Sequence, residues 1–126
     1  MDAPDYPAVW LRDDGILRID YGLHPRVDLA AIRSAHRQHL ALADRPLPVL
    51  VTGRGTMTAT PEAEAFSASP EVCAVTVAVA VIASNPVARM AVQLYRRYRR
   101  PPYPFQAFDS EAAALQWLAR FLPPVG

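Results

Sequence analysis

His36 and His39 stand three residues apart, a spacing at which a helix turns both imidazoles to one side and toward one metal ion. A metal site takes roughly three or four ligands, and no Cys, Asp or Glu repeats that spacing nearby. His36 therefore reads better as part of an apolar helix face, in the core or opening toward a pocket, and no metal is expected. His24, beside Pro25, has no partner that sequence can assign. The single Cys73 would need a cationic neighbour or a helix N-terminus to become a nucleophile, and Glu71, Val72 and Ala74 supply neither. It reads as a small packing residue, and alone it makes no internal disulfide. Serine hydrolysis would need a Gly-x-Ser-x-Gly elbow, which does not occur. The nearest glycine-rich loop is Thr52-Gly53-Arg54-Gly55-Thr56. With two glycines and no lysine it is neither a phosphate loop nor a dinucleotide fingerprint, although its amides and Arg54 together can hold an anion. Glu62 and Glu64, two apart on a helix, diverge and make no acid–base pair. No catalytic constellation emerges, so a non-enzymatic protein is the expectation.

The other sharp feature is basic. Arg96-Arg97-Tyr98-Arg99-Arg100 precedes Pro101-Pro102-Tyr103, a cluster whose cations can meet phosphates and whose rings can stack on bases. Cations at a helix C-terminus also oppose the negative end of its dipole. Four arginines in five residues exceed that need, which marks Arg96, Arg97, Arg99 and Arg100 as candidate contacts for an acidic protein surface, a lipid headgroup or RNA. The whole chain has no matching field: thirteen cationic residues against twelve acidic ones leave it near neutral. All thirteen are arginine, so neither a lysine Schiff base nor a lysine-dependent phosphate loop is available.

These residues need elements to position them. At 126 residues and 52% apolar content the chain can bury a core, and one domain over residues 1–126 is expected. The start MDAPDYPAVW has no secretory pattern, so a cytoplasmic location is expected. The longest apolar run, Val72 to Ala83, falls short of the about 20 residues that span a bilayer and reads as a buried strand. Asp13-Asp14-Gly15 between Ala8–Arg12 and Ile16–Tyr21 predicts a β-hairpin. Asp28 caps a helix to about Ala43 whose packed face is Leu29, Ile32, His36, Leu40 and Ala43. Val49-Leu50-Val51 is a short buried strand, and residues 52–59 form the most flexible loop.

Thr60-Pro61 starts a helix that runs to about Ser69 and is stopped by Pro70. In the next strand Val75, Val77, Val79 and Val81 face one side and Thr76, Ala78 and Ala80 the other, so helices must cover both. Asn85-Pro86 opens a helix to about Arg100 with Val87, Ala91, Leu94 and Tyr98 as its buried stripe. Tyr103–Phe108 is the last strand. Asp109 or Ser110 caps a final helix that buries Leu115, Trp117, Leu118, Phe121 and Leu122.

This element order resembles the STAS fold of the anti-sigma-factor antagonist (SpoIIAA-like) group. The resemblance sharpens toward small bacterial SpoIIAA-like, STAS/SEC14-type domains through Gly15-Ile16-Leu17-Arg18, Val49-Leu50-Val51, Ala78-Val79-Ala80-Val81 leading to Ser84-Asn85-Pro86, and Tyr103-Pro104. It continues through Phe108-Asp109-Ser110-Glu111, Ala113 and Trp117-Leu118, and spans residues 8–122. It implies an α/β domain with a mixed sheet of about five strands and four helices. It also implies a non-enzymatic protein without cofactor, commonly a homodimer, that works by binding a protein partner or an apolar ligand. Antagonists of the group carry a phosphorylatable serine in an Asp-Ser-Ser/Thr-Gly motif after the third strand. Residues 52–60 lack that core, which leaves Thr56 and Thr58 as the acceptors a loop switch would use.

Three functions stay open on these grounds. The first is a STAS-like regulatory module that signals by protein contact through residues 52–60 and the helix from Asn85. The second is a carrier of a small apolar ligand or lipid, in a SEC14-like cleft lined by Trp10, Met57, Met90 and Trp117. The third is binding of an anionic partner or nucleic acid through the Arg96–Arg100 patch.

Overall fold

The computed structural model describes residues 6–123, as a five-stranded mixed sheet with helices on both faces. Strands β1 (Ala8–Leu11) and β2 (Leu17–Leu23) form the expected antiparallel hairpin. Its turn is fastened by Asp14, whose Oδ1 accepts from the Ile16 amide at 3.0 Å. The same carboxylate grips the Arg18 guanidinium at 2.6 and 2.8 Å. Arg18 is buried, so this pairing keeps a cation out of an apolar neighbourhood with no partner missing.

The remaining strands join in parallel, in the order β1-β2-β4-β6-β7, through β4 (Leu47–Arg54), β6 (Thr76–Ile82) and β7 (Phe105–Phe108). Because successive side chains alternate, the register sends whole rows to one face. Leu17, Val49, Val79 and Phe105 align as neighbours, as do Ile19, Val51, Val81 and Ala107. The opposite face carries Ile16, Leu50, Ala78 and Ala80, and the two alanines let Ala114 and Leu118 of α5 (Glu111–Leu118) approach closely. Trp117, Phe108 and Phe121 pack beside them. Ser110, not Asp109, caps α5, its Oγ accepting from the Ala113 amide.

Helices α1 (Leu29–Leu42), α2 (Pro61–Ser67) and α4 (Pro86–Arg99) lie over the valine-rich face. Each starts as the sequence indicates: the side chains of Asp28, Thr60 and Asn85 accept from the third amide of the following turn. Four expectations need correction. Residues 52–59 are not one loop, because β4 continues to Arg54 and β5 (Thr58–Ala59) pairs with β3 (Arg26–Val27) in a small second sheet. Pro70 does not merely stop a helix. With Ser69 as cap it opens the one-turn α3 (Pro70–Cys73), so the apolar run from Val72 begins helical.

The face of α1 is rotated, with Ala35, His39 and the C-cap Ala43 buried and Leu40 exposed. The fourth correction concerns α4. Val87, Leu94 and Tyr98 of its expected buried stripe point outward, Ala91 borders the cavity, and Ala88, Val92 and Tyr95 face the sheet.

Candidate functional site

Aliphatic rows on the sheet and an offset roof of helices leave a gap. The rows Val49–Val79–Phe105 and Ile19–Val51–Val81 are its floor, Ile32, Ala35, His36 and His39 of α1 one wall, and Ala63, Glu64 and Ser67 of α2 another. Ala88, Val92 and Tyr95 of α4 form the roof, and Met57 and Thr58 stand at the rim. The cavity holds about 710 Å³, within the about 300–1,000 Å³ typical of small-molecule sites. The described part of α4 has no buried residue and touches the sheet mainly at β7. A helix so lightly seated over an apolar space is the least anchored wall of that space.

Among the polar side chains that line the cavity, Tyr95, Ser67 and Tyr103 are joined by hydrogen bonds. The Tyr103 hydroxyl donates to the Ser67 carbonyl at 2.8 Å. The Ser67 hydroxyl lies 2.6 Å from both the Glu64 carbonyl and the Tyr95 hydroxyl. Since the carbonyl can only accept, Ser67 donates to it and Tyr95 donates to Ser67. Burial pushes the Tyr95 and Tyr103 hydroxyls above the ordinary phenol range, so both stay protonated and serve as donors. This chain of bonds, the 4.9 Å contact of the Tyr95 and Phe105 rings and the Arg99–Glu64 pair at 3.4 Å tether α4 to the rest. On the α1 side, His36 meets Phe66 edge-on at 5.7 Å, with the Arg33 guanidinium over the same ring. His39 is buried, and its Nε2 has no hydrogen-bond partner.

The expected site residues are dispersed. No group of three or more His, Cys, Asp or Glu residues able to hold a metal ion occurs among the described residues. Of the four residues expected to line a cleft only Met57 does so. Trp10 is on the edge strand, Met90 on the outer side of α4 and Trp117 under the opposite face of the sheet. His24, without a partner in the sequence reading, sits at a positive φ of 45° and accepts from the Thr56 amide through Nδ1 at 3.1 Å. Its ring fills the space where a Cβ on Gly55 would go, which together with a φ of 75° requires glycine there. The amides of Thr56 and Thr58 are thus already committed, to His24 and to the Pro25 carbonyl.

Thr56 and Thr58 are both exposed, Thr58 within β5 and before the start of α2. Cys73 is half-buried, its thiol directed at the Ala68 carbonyl. Arg96, Arg97, Arg99 and Arg100 are all exposed at the end of α4, and Arg99 pairs with Glu64 of α2. Arg100 takes the left-handed conformation that closes the helix. Sequence reasoning missed Tyr95, Ser67, Tyr103 and the Ala88–Val92 face. For Ala88, Val92 and Tyr95 the signal was a second apolar stripe on α4, running beside the first at the same spacing.

Comparison with known proteins adds a family and a fold. A family model described as "Domain of unknown function (DUF7793)" matches residues 9–122. No curated protein matches the chain. A solved structure of a protein from Shewanella loihica PV-4, described as an uncharacterised member of the DUF3478 family with a SpoIIAA-like fold, is 17% identical. It superposes with a TM-score of 0.64, over 94% of this chain and 98% of the other. The fold is thus SpoIIAA-like, as the element order implied. Among the described residues no helix is long and apolar enough to cross a membrane.

Proposed function

The chain belongs to the DUF7793 family, and from that premise and its SpoIIAA-like fold we propose a STAS-type module, without catalysis of its own, that binds an elongated apolar molecule under α4. The single observation that carries this reading is the aliphatic cavity of about 710 Å³ roofed by a helix with no buried residue. Tight packing is the rule in protein interiors, so a gap of this size on one face of a sheet whose other face is closely packed marks a place for a ligand. The occupant is mostly hydrocarbon, to match Val49, Val51, Val79 and Val81. It carries one polar end, which the Tyr95–Ser67–Tyr103 cluster can meet. Contact signalling as a homodimer, which the resemblance implies, has no comparable concentration of residues behind it.

The test is titration with the neutral fluorescent probe N-phenyl-1-naphthylamine, alongside native mass spectrometry of gently purified protein. We expect saturable binding of one probe per chain that is displaced by long-chain alcohols or fatty acids and abolished by Val79→Phe, which fills the floor. Absence of saturable binding, or binding that Val79→Phe leaves intact, would overturn the assignment of the cavity.

A further inference from the structure

Four of the nine exposed large apolar side chains among the described residues lie on the outer side of α4. Val87, Met90, Leu94 and Tyr98, spaced by three or four residues, fall on one line and are 76%, 62%, 48% and 75% exposed. A solvent-exposed helix face normally carries polar residues, and a contiguous stripe of large apolar ones marks a surface that meets something else. The helix divides into three strips. Ala88, Val92 and Tyr95 face the cavity and Val87, Met90, Leu94 and Tyr98 face outward. By helical spacing Arg89 and Arg96 lie on the third side and Arg97 between that side and Met90, while Arg100 follows as the left-handed C-cap.

No acidic residue occurs from Asn85 to Arg100, and among the described residues the one carboxylate paired to the helix, Glu64, reaches it through Arg99. The occupant of the outer strip must therefore be apolar where it meets the stripe and negative beside it. A second copy of this chain fits poorly. Stripe-to-stripe packing would join two helices that each carry arginines and no carboxylate. A bilayer boundary supplies both demands in the required layering, with acyl chains below and phosphates above.

We propose that α4 is an interfacial helix, seating Val87, Met90, Leu94 and Tyr98 in the headgroup boundary of an anionic lipid surface while Arg89, Arg96, Arg97 and Arg100 engage its phosphates. The arginine stems extend apolar contact as their guanidinium groups reach the phosphates, and a tyrosine at the strip's end suits the same boundary, ring inward and hydroxyl in water. The helix lies on the surface and does not cross it. This inference stands whether or not the cavity on the other side of α4 holds a ligand, because it rests on the outer strips alone.

The experiment is co-sedimentation of the full chain with vesicles of pure phosphatidylcholine and of phosphatidylcholine with phosphatidylglycerol in equal parts, at low and high sodium chloride. Binding to the mixed vesicles only, falling steeply with salt, is expected. Leu94→Asp should weaken it by about tenfold or more, as loss of one buried leucine at the boundary implies. The double substitution Arg96→Gln and Arg97→Gln should weaken it at low salt and flatten the salt dependence. Leu94 is exposed, so an unchanged thermal midpoint separates lost binding from lost folding. Three results overturn the proposal: no sedimentation with either vesicle by folded wild type, sedimentation that Leu94→Asp does not reduce, or a vesicle-free dimer that Leu94→Asp dissolves. The first would leave the stripe to an acidic protein partner and the last to a second copy.

Discussion

At His39 a buried imidazole meets a nitrogen with no partner. Burial first, and the neighbouring His36 second, hold its pKa below that of an exposed histidine, against an opposing pull from the Arg45 backbone. The unfolded chain therefore takes up this proton at a higher pH than the folded one. The stability that neutral His39 contributes is complete above about pH 6.5 and is lost as pH falls below it, by at most about 1.4 kcal/mol per pH unit. Thermal midpoints measured from about pH 7.5 down to 5.5 should decline in wild type and decline less in His39→Leu, which removes the titrating group. Equal slopes in the two proteins would assign the decline elsewhere. Sequence could place His36 and His39 on one helix. It could not tell which of them is buried, since that depends on a rotation of α1 by one residue.

The same ambiguity, at the scale of an element, governs α4. Its limits, its Asn85 cap and its proline start were legible because they depend on local chemistry. Its orientation was not, because two apolar stripes run along it side by side and only the sheet decides which one packs. Strands posed less difficulty. Alternation along β6 separated Val79 and Val81 from Ala78 and Ala80 correctly, since a period of two admits only two faces. The corrected orientation makes paired substitutions diagnostic. Leu94→Asp should change stability by no more than about 0.5 kcal/mol, as is usual at an exposed site. Val92→Asp places a carboxylate against the cavity roof and should cost about 2 kcal/mol or more. Denaturant midpoints compare the two, and the reverse ranking would restore the original stripe as the buried one. With no buried residue on α4 and few contacts holding it, its amides should also exchange before those of α1 and α5.

Across the whole molecule the two faces of the sheet are packed to different standards, and that asymmetry links fold to function. Under α5, alanines and leucines close up until Leu50, Ala78, Ala80, Ala114 and Leu118 are all but inaccessible. Over the valine face the helices leave a cavity of about 710 Å³ beside the second core cluster. An apolar gap forfeits dispersion contacts along its walls, and whatever fills it favours the folded state. A ligand that binds only the native form should therefore raise the thermal midpoint with concentration, by about 2.7 kcal/mol of added stability at a hundredfold excess over its Kd. That corresponds to several degrees for a chain of this size. Val79→Phe should give a midpoint at or above that of ligand-free wild type, because the ring occupies the gap, and should show no further rise with N-phenyl-1-naphthylamine. A probe-dependent rise surviving in Val79→Phe would move the binding site out of the cavity and onto an exposed surface, such as the outer strip of α4 with Val87, Met90, Leu94 and Tyr98.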